Sequence, residues 1–187
     1  MFPMTLDVRR FSWVLLAASP LVATAQEDAA RAPLVDPGDK YVSLTVEGCA
    51  DKCPSFEIYV FDTGRLAFRP NNQYNASRKT VYKNGLPAIY ERIAKYLQDT
   101  GAFNAPADCA ERREGSSTAT VVASDGTKEQ KATWSGNCAN QAEKGRALAK
   151  VFVNQTAFWR NINSDTRYWQ KHWETWVYPN KAADAPQ

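Results

Sequence analysis

The chain has 187 residues, with 23 lysines and arginines against 20 aspartates and glutamates, and a single histidine. A net charge of +3 is too small to point to nucleic acid or an anionic surface as partner. His172 stands alone, no serine sits in a nucleophile-elbow pattern, and no glycine loop of the phosphate-cradling kind occurs, so no hydrolase or nucleotide site can be assembled from motifs.

Residues 1–25 read as a secretory signal peptide. Arg9 and Arg10 supply the positive start, Trp13 to Val22 the apolar run, and Ala23-Thr24-Ala25 a small-x-small cleavage site. The run is shorter than the roughly 20 residues a membrane span needs, so cleavage is expected rather than anchoring. No cysteine follows that run, which argues against a lipid anchor, and no later stretch is long and apolar enough to cross a membrane. Losing Arg9, Arg10 and Asp7 lowers the net charge to +2. The expected location is secreted or periplasmic. Residues 26–39 are polar, carry two prolines and read as a flexible tether.

From residue 40 the pattern becomes that of strands. Val42, Leu44 and Val46 alternate with Ser43, Thr45 and Glu47, and Phe56, Ile58 and Val60 with Glu57, Tyr59 and Phe61. Asp62-Thr63-Gly64 reads as a three-residue hairpin loop, with Gly64 free to take positive φ. The predicted register sets Val60 opposite Leu66, Ile58 opposite Phe68, and Glu57 opposite Arg69, giving one apolar face and one carrying an ion pair.

Between the first two strands lies Gly48-Cys49-Ala50-Asp51-Lys52-Cys53-Pro54. This segment, with Tyr59, Asp62 and Gly64 after it, resembles an uncharacterised, mostly bacterial family, a domain of unknown function with a Gly-Cys-x-x-x-Cys-Pro strand-hairpin motif. The likeness covers about residues 40 to 178. It implies a fold, and no activity, cofactor or catalytic residue comes with it.

Pro70 to Ser77 is a polar loop, and Thr80 to Lys83 a short further strand. Asn75-Ala76-Ser77 and Asn154-Gln155-Thr156 match the N-glycosylation pattern, read here as accidental. Leu86, Ile89, Tyr90, Ile93 and Leu97 have helical spacing, with Pro87 in the first turn and Gly101 as the stop, which predicts a helix over 87–99. Thr118–Ser124, the turn Asp125-Gly126 and Thr127–Trp134 read as a second hairpin. Its second arm carries Lys128, Glu129 and Lys131 and suits a sheet edge. Residues 140–160 read as the longest helix, with Leu148, Val151, Phe152, Gln155 and Trp159 on one face. Asp165 caps a last helical segment, and residues 179–187 form a tail.

Four cysteines, Cys49, Cys53, Cys109 and Cys138, remain after cleavage. In an oxidising compartment they are expected to pair, and three connectivities exist. Local topology favours Cys49–Cys53 with Cys109–Cys138. A cross-link between the first hairpin and the later segment is the alternative. The Cys-x-x-x-Cys-Pro spacing also resembles the copper-binding loop of SCO-type copper chaperones, in which thiolates would bind copper. In those proteins a helix follows the motif, whereas Pro54 leads into a strand, and His172 lies far along the chain. Cys49 and Cys53 are therefore read as a structural bridge, with copper binding or thiol redox as the alternative use.

The C-terminal region is dense in aromatics, and Trp169, Trp173 and Trp176 share one helical face. They are either core or an exposed platform for a sugar, peptide or protein. Together these readings predict an α+β domain over 40–178, an antiparallel sheet of about five or six strands with helices packed on one face. The expected function is that of an exported, non-enzymatic domain without cofactor or metal, binding a protein, peptide or envelope component.

Overall fold

The strands are β1 (Lys40–Glu47), β2 (Phe56–Phe61), β3 (Arg65–Pro70), β4 (Val81–Asn84), β5 (Thr118–Asp125) and β6 (Glu129–Ser135). They form one antiparallel sheet in the order β4-β3-β2-β1-β5-β6. Among the described residues, three helices complete the α+β fold: α1 (Pro87–Asp99), α2 (Ala139–Thr156) and the short α3 (Trp159–Ile162). The structure, a computed structural model, describes residues 34–47, 54–109 and 117–162. All of them belong to one compact unit beginning at Leu34.

Alternation along the strands decides what each face carries. Val42, Leu44, Val46, Phe56, Ile58, Val60, Leu66, Phe68, Val121 and Trp134 point to one side. There they form the main core with Ile93 and Leu97 of α1, Leu148, Ala149, Phe152 and Val153 of α2, and Phe158 and Ile162. The helices thus cover a single face. The first hairpin has the expected register, with Val60 opposite Leu66, Ile58 opposite Phe68 and Glu57 opposite Arg69. Gly64, at φ 86°, closes its loop by donating its N–H to the Phe61 carbonyl.

Helix α1 begins at Pro87, whose missing N–H costs nothing in the first turn. It ends in a Schellman arrangement: Gly101 N–H bonds the Gln98 carbonyl and Ala102 N–H the Leu97 carbonyl. Leu86, expected in the buried stripe, is instead the N-cap residue and is exposed. It precedes the first helical turn and so does not follow the helix's spacing.

Three further expectations change. Within 26–39, read as a tether, residues 34–39 are fixed. Leu34 is buried, Asp39 N–H bonds the Asp36 carbonyl, and Asp39 pairs with Arg65 at 2.7 Å. The second hairpin turns at Gly126-Thr127 rather than Asp125-Gly126. Asp125 N–H bonds the Lys128 carbonyl, and the Asp125 carboxylate accepts from Thr127 N–H, Thr127 Oγ1–H and Lys128 N–H. The side chain holds the turn, and Gly126, at φ 92°, takes the first central position that favours glycine.

The long helix stops at Thr156. Ala157 adopts a left-handed conformation at φ 54°, and α3 starts afresh at Trp159. This break seats Phe158, fully buried, against Phe68. Leu148 and Phe152 are buried as expected, whereas Gln155 is exposed and accepts from Arg92 Nε–H at 3.0 Å. The expected tail and last helical segment lie outside the described residues, as does the signal peptide.

Candidate functional site

Of the residues singled out from sequence, Cys109 and Cys138 are joined in a disulfide. Cys138 is the N-cap residue of α2. Beside the bridge, Gln141 is buried and fully used: its Nε2 donates to the Pro106 carbonyl at 2.8 Å, and its Oε1 accepts from Ser135 N–H at 3.0 Å. Bridge and amide together fasten the connection after α1 to the start of α2. The arrangement is structural.

Cys49, Cys53, Trp169, Trp173, Trp176 and His172 lie outside the described residues. The frame of the Cys49–Cys53 loop is described. Val46 pairs with Phe56, so the loop joins two direct neighbours in the sheet. Ser55 Oγ–H donates to the Val46 carbonyl at 2.9 Å, and the Ser55 carbonyl accepts from Asn71 N–H and from Asn75 Nδ2–H, each at 2.7 Å. Asn75 is 1 % exposed and its amide nitrogen is occupied, so the folded domain does not offer it for glycosylation. Among the described residues, no cluster of three histidine, cysteine or acidic side chains could hold a metal ion.

The face of the sheet opposite the helices carries aromatic rings and ion pairs. Tyr41, Tyr59 and Phe61 lie with ring centroids 5.8 to 6.4 Å apart. Arg65 sits over Phe61 at 3.8 Å. Glu57 Oε2 accepts from Tyr59 Oη–H at 2.9 Å and from Arg69 NH2 at 2.8 Å, and Tyr41 Oη–H donates to Glu129. Burial, then the charge of Glu57 and its hydrogen bond, push the Tyr59 phenol up to about 12. Burial and Glu129 push Tyr41 up as well. At 6 % and 1 % exposure, Tyr41 and Phe61 are not an open platform. The Tyr41 and Tyr59 hydroxyls and the Glu57 and Arg69 charges are engaged within the sheet.

The two edges of the sheet differ. On β6, Glu129 and Lys131 are exposed, and Ser135 N–H is taken by Gln141. Charges and a side-chain cap of this kind discourage pairing with another chain. On β4, Gly85 N–H donates to the Gly64 carbonyl at 2.8 Å. In an antiparallel ladder, hydrogen-bonded pairs alternate with non-bonded ones. Lys83 and Val81 therefore bond toward β3, opposite Leu66 and Phe68, while Tyr82 and Asn84 turn their N–H and C=O groups outward. Among the described residues, no strand lies on that side. The Tyr82 side chain is 61 % exposed, and Leu86, just past the strand, is 69 % exposed.

This edge was missed from sequence because the short strand had no stated neighbour and Leu86 was assigned to the helix stripe. A signal was present: no acidic residue occurs between Asp62 and Glu91, while Arg65, Arg69, Arg78, Lys79 and Lys83 fall in that interval. No family model matches the chain, and no curated protein matches it.

Proposed function

We propose that the chain is an exported, non-enzymatic binding domain that takes a protein or peptide of the cell envelope or its surroundings along β4. The observation carrying this reading is the outward backbone of Tyr82 and Asn84, with no strand beyond it among the described residues and with the exposed side chains of Tyr82 and Leu86 beside it. A sheet edge of that kind binds an extended segment through main-chain hydrogen bonds, and pockets for alternate side chains supply specificity. Export is supported by the N-terminal pattern of residues 1–25 and by the Cys109–Cys138 disulfide, which suits an oxidising compartment. The non-enzymatic reading is supported by the sequence, in which His172 is the single histidine and no serine sits in a nucleophile-elbow pattern.

The test is Tyr82→Pro. Proline removes an N–H that points away from β3, so the ladder to β3 is kept and only the outer donor is lost. The wild-type and variant proteins would be tagged and expressed in the producing organism, then compared for retained envelope partners. The expected result is a partner held by the wild type and lost from a variant with the same circular dichroism. Equal retention by both would overturn the site, and intact mass starting at Met1 rather than Gln26 would overturn export.

A further inference from the structure

The edge that the proposed function rests on is basic, and its surroundings select among partners. Arg78 and Lys79 are exposed just before β4, and Lys83 lies within it. The two arginines of β3 are already neutralised, Arg65 by Asp39 at 2.7 Å and Arg69 by Glu57 at 2.8 Å. Neither Arg78, Lys79 nor Lys83 forms an ion pair with a described residue. Lys83 Nζ donates to the Ala157 carbonyl at 3.2 Å and lies 4.2 Å from the centre of the Phe158 ring. Burial, then the charge of Arg160, lowers its pKa. Positive charge thus collects along one short edge without an ion-paired carboxylate among the described residues to offset it.

We infer that the natural occupant of β4 is an extended, acidic peptide segment, added as a seventh strand with its carboxylates toward Arg78, Lys79 and Lys83. Such a strand would receive main-chain bonds from Tyr82 and Asn84, and alternate side chains would fall on the two faces. Those on the helix-free face would lie beside Tyr82. Those on the helix face would meet Val81 and Lys83, where an acidic side chain satisfies the ammonium group. A second copy of this chain is disfavoured as occupant, because it would bring Arg78, Lys79 and Lys83 of both strands to one seam, and like charges across a seam destabilise.

The experiment titrates the full-length secreted protein, labelled with nitrogen-15, with three synthetic eight-residue peptides. One alternates valine with glutamate, one valine with glutamine, one valine with lysine. The acidic peptide should shift the Tyr82 and Asn84 amides, bind at least about tenfold more tightly than the glutamine peptide, and weaken as salt is raised. Arg78→Glu with Lys79→Glu should reverse the preference toward the lysine peptide. Equal, salt-insensitive binding of the acidic and glutamine peptides at Tyr82 and Asn84 would refute the acidic partner and leave the edge reading standing. Failure of every peptide to move those two amides would refute both. Concentration-dependent dimerisation that shifts them without peptide would assign the edge to a second copy and overturn the proposal.

Discussion

Trp134 Nε1–H donates to the main-chain carbonyl of Ala102 at 2.8 Å, within the core. One side chain thereby joins β6 to the residue that closes α1. Lys144 of α2 adds a bond to the Thr100 carbonyl and lies over the Trp134 ring. Trp134→Phe should cost about 1–3 kcal/mol, because the Ala102 carbonyl stays buried with its donor gone. Trp134→Ala should cost about 3–5 kcal/mol, as deletion of large core side chains does. Urea denaturation followed by circular dichroism measures both, and a loss under about 0.5 kcal/mol for Trp134→Ala would place that ring outside the cooperative core.

The Cys109–Cys138 bridge closes a loop with a sequence separation of 29. Chain-entropy reasoning assigns such a loop about 3.5 kcal/mol. Replacing both cysteines by serine should lower stability by about that amount while leaving the sheet intact. Gln141 would still hold the Pro106 carbonyl. Reduction of the wild-type protein should lower the denaturation midpoint by at least as much, because it also opens the expected Cys49–Cys53 bridge.

The tyrosines of the helix-free face give a pH dependence with a definite sign. Tyr59 is pushed up to about 12, and Tyr41 is also raised, from the ordinary 10.0. A phenol whose folded pKa is raised contributes stability that is complete below about 10 and is lost as pH climbs through the folded pKa. Stability should therefore fall between about pH 10 and 12, with tyrosinate absorbance appearing together with unfolding. Glu57→Gln removes a charge that raises Tyr59, so part of that absorbance change should move to lower pH in the variant. An unchanged titration would show that Glu57 does not act on Tyr59.

Two glycines with similar φ should respond differently to alanine. At Gly64 an added Cβ would lie 2.6 Å from the carbonyl oxygen of Gly85, the residue after β4 whose N–H bonds the Gly64 carbonyl. At Gly38 an added Cβ meets nothing within 4 Å. Gly38→Ala should cost only the left-handed conformation, about 1–2 kcal/mol. Gly64→Ala should cost more, and should also broaden the amide signals of Tyr82 and Asn84. Equal costs would mean that the hairpin and β4 can separate without strain.

How far the fold was legible depended on where its determinants lie. The β2–β3 register could be read because Glu57, Ile58 and Val60 have partners a few residues away, alternation excludes odd slips, and the short Asp62–Gly64 loop fixes which in-phase pairing forms. The ends of α1 were likewise local, written in Pro87 and Gly101. The break at Ala157 was not legible. Helical spacing continues through it, and the reason for it is tertiary, the seat of Phe158 against Phe68. The turn at Gly126 was displaced because Asp125 spends its carboxylate on the turn's N–H groups rather than standing inside it. The candidate site escaped for a similar reason: nothing within Val81–Asn84 states that, among the described residues, one side of the strand has a neighbour and the other has none.

The place of β1 in the sheet bears on how the chain reaches its fold. Val42 is flanked by Val60, its neighbour through the first connection, and by Ala123, which lies much later in the chain. β1, β2, β3, β4 and α1 can assemble from nearby contacts, but the β1–β5 seam requires a long loop to close first. Loop closure of that length raises the entropic barrier, and non-local strand pairing is slow. A half-built molecule would present β1 as an open, apolar edge until Thr118–Asp125 arrives. The commitment step of folding should therefore be the docking of the second hairpin. Substitutions in β5 at Val121 should slow refolding, whereas substitutions in β4 should act mainly on unfolding.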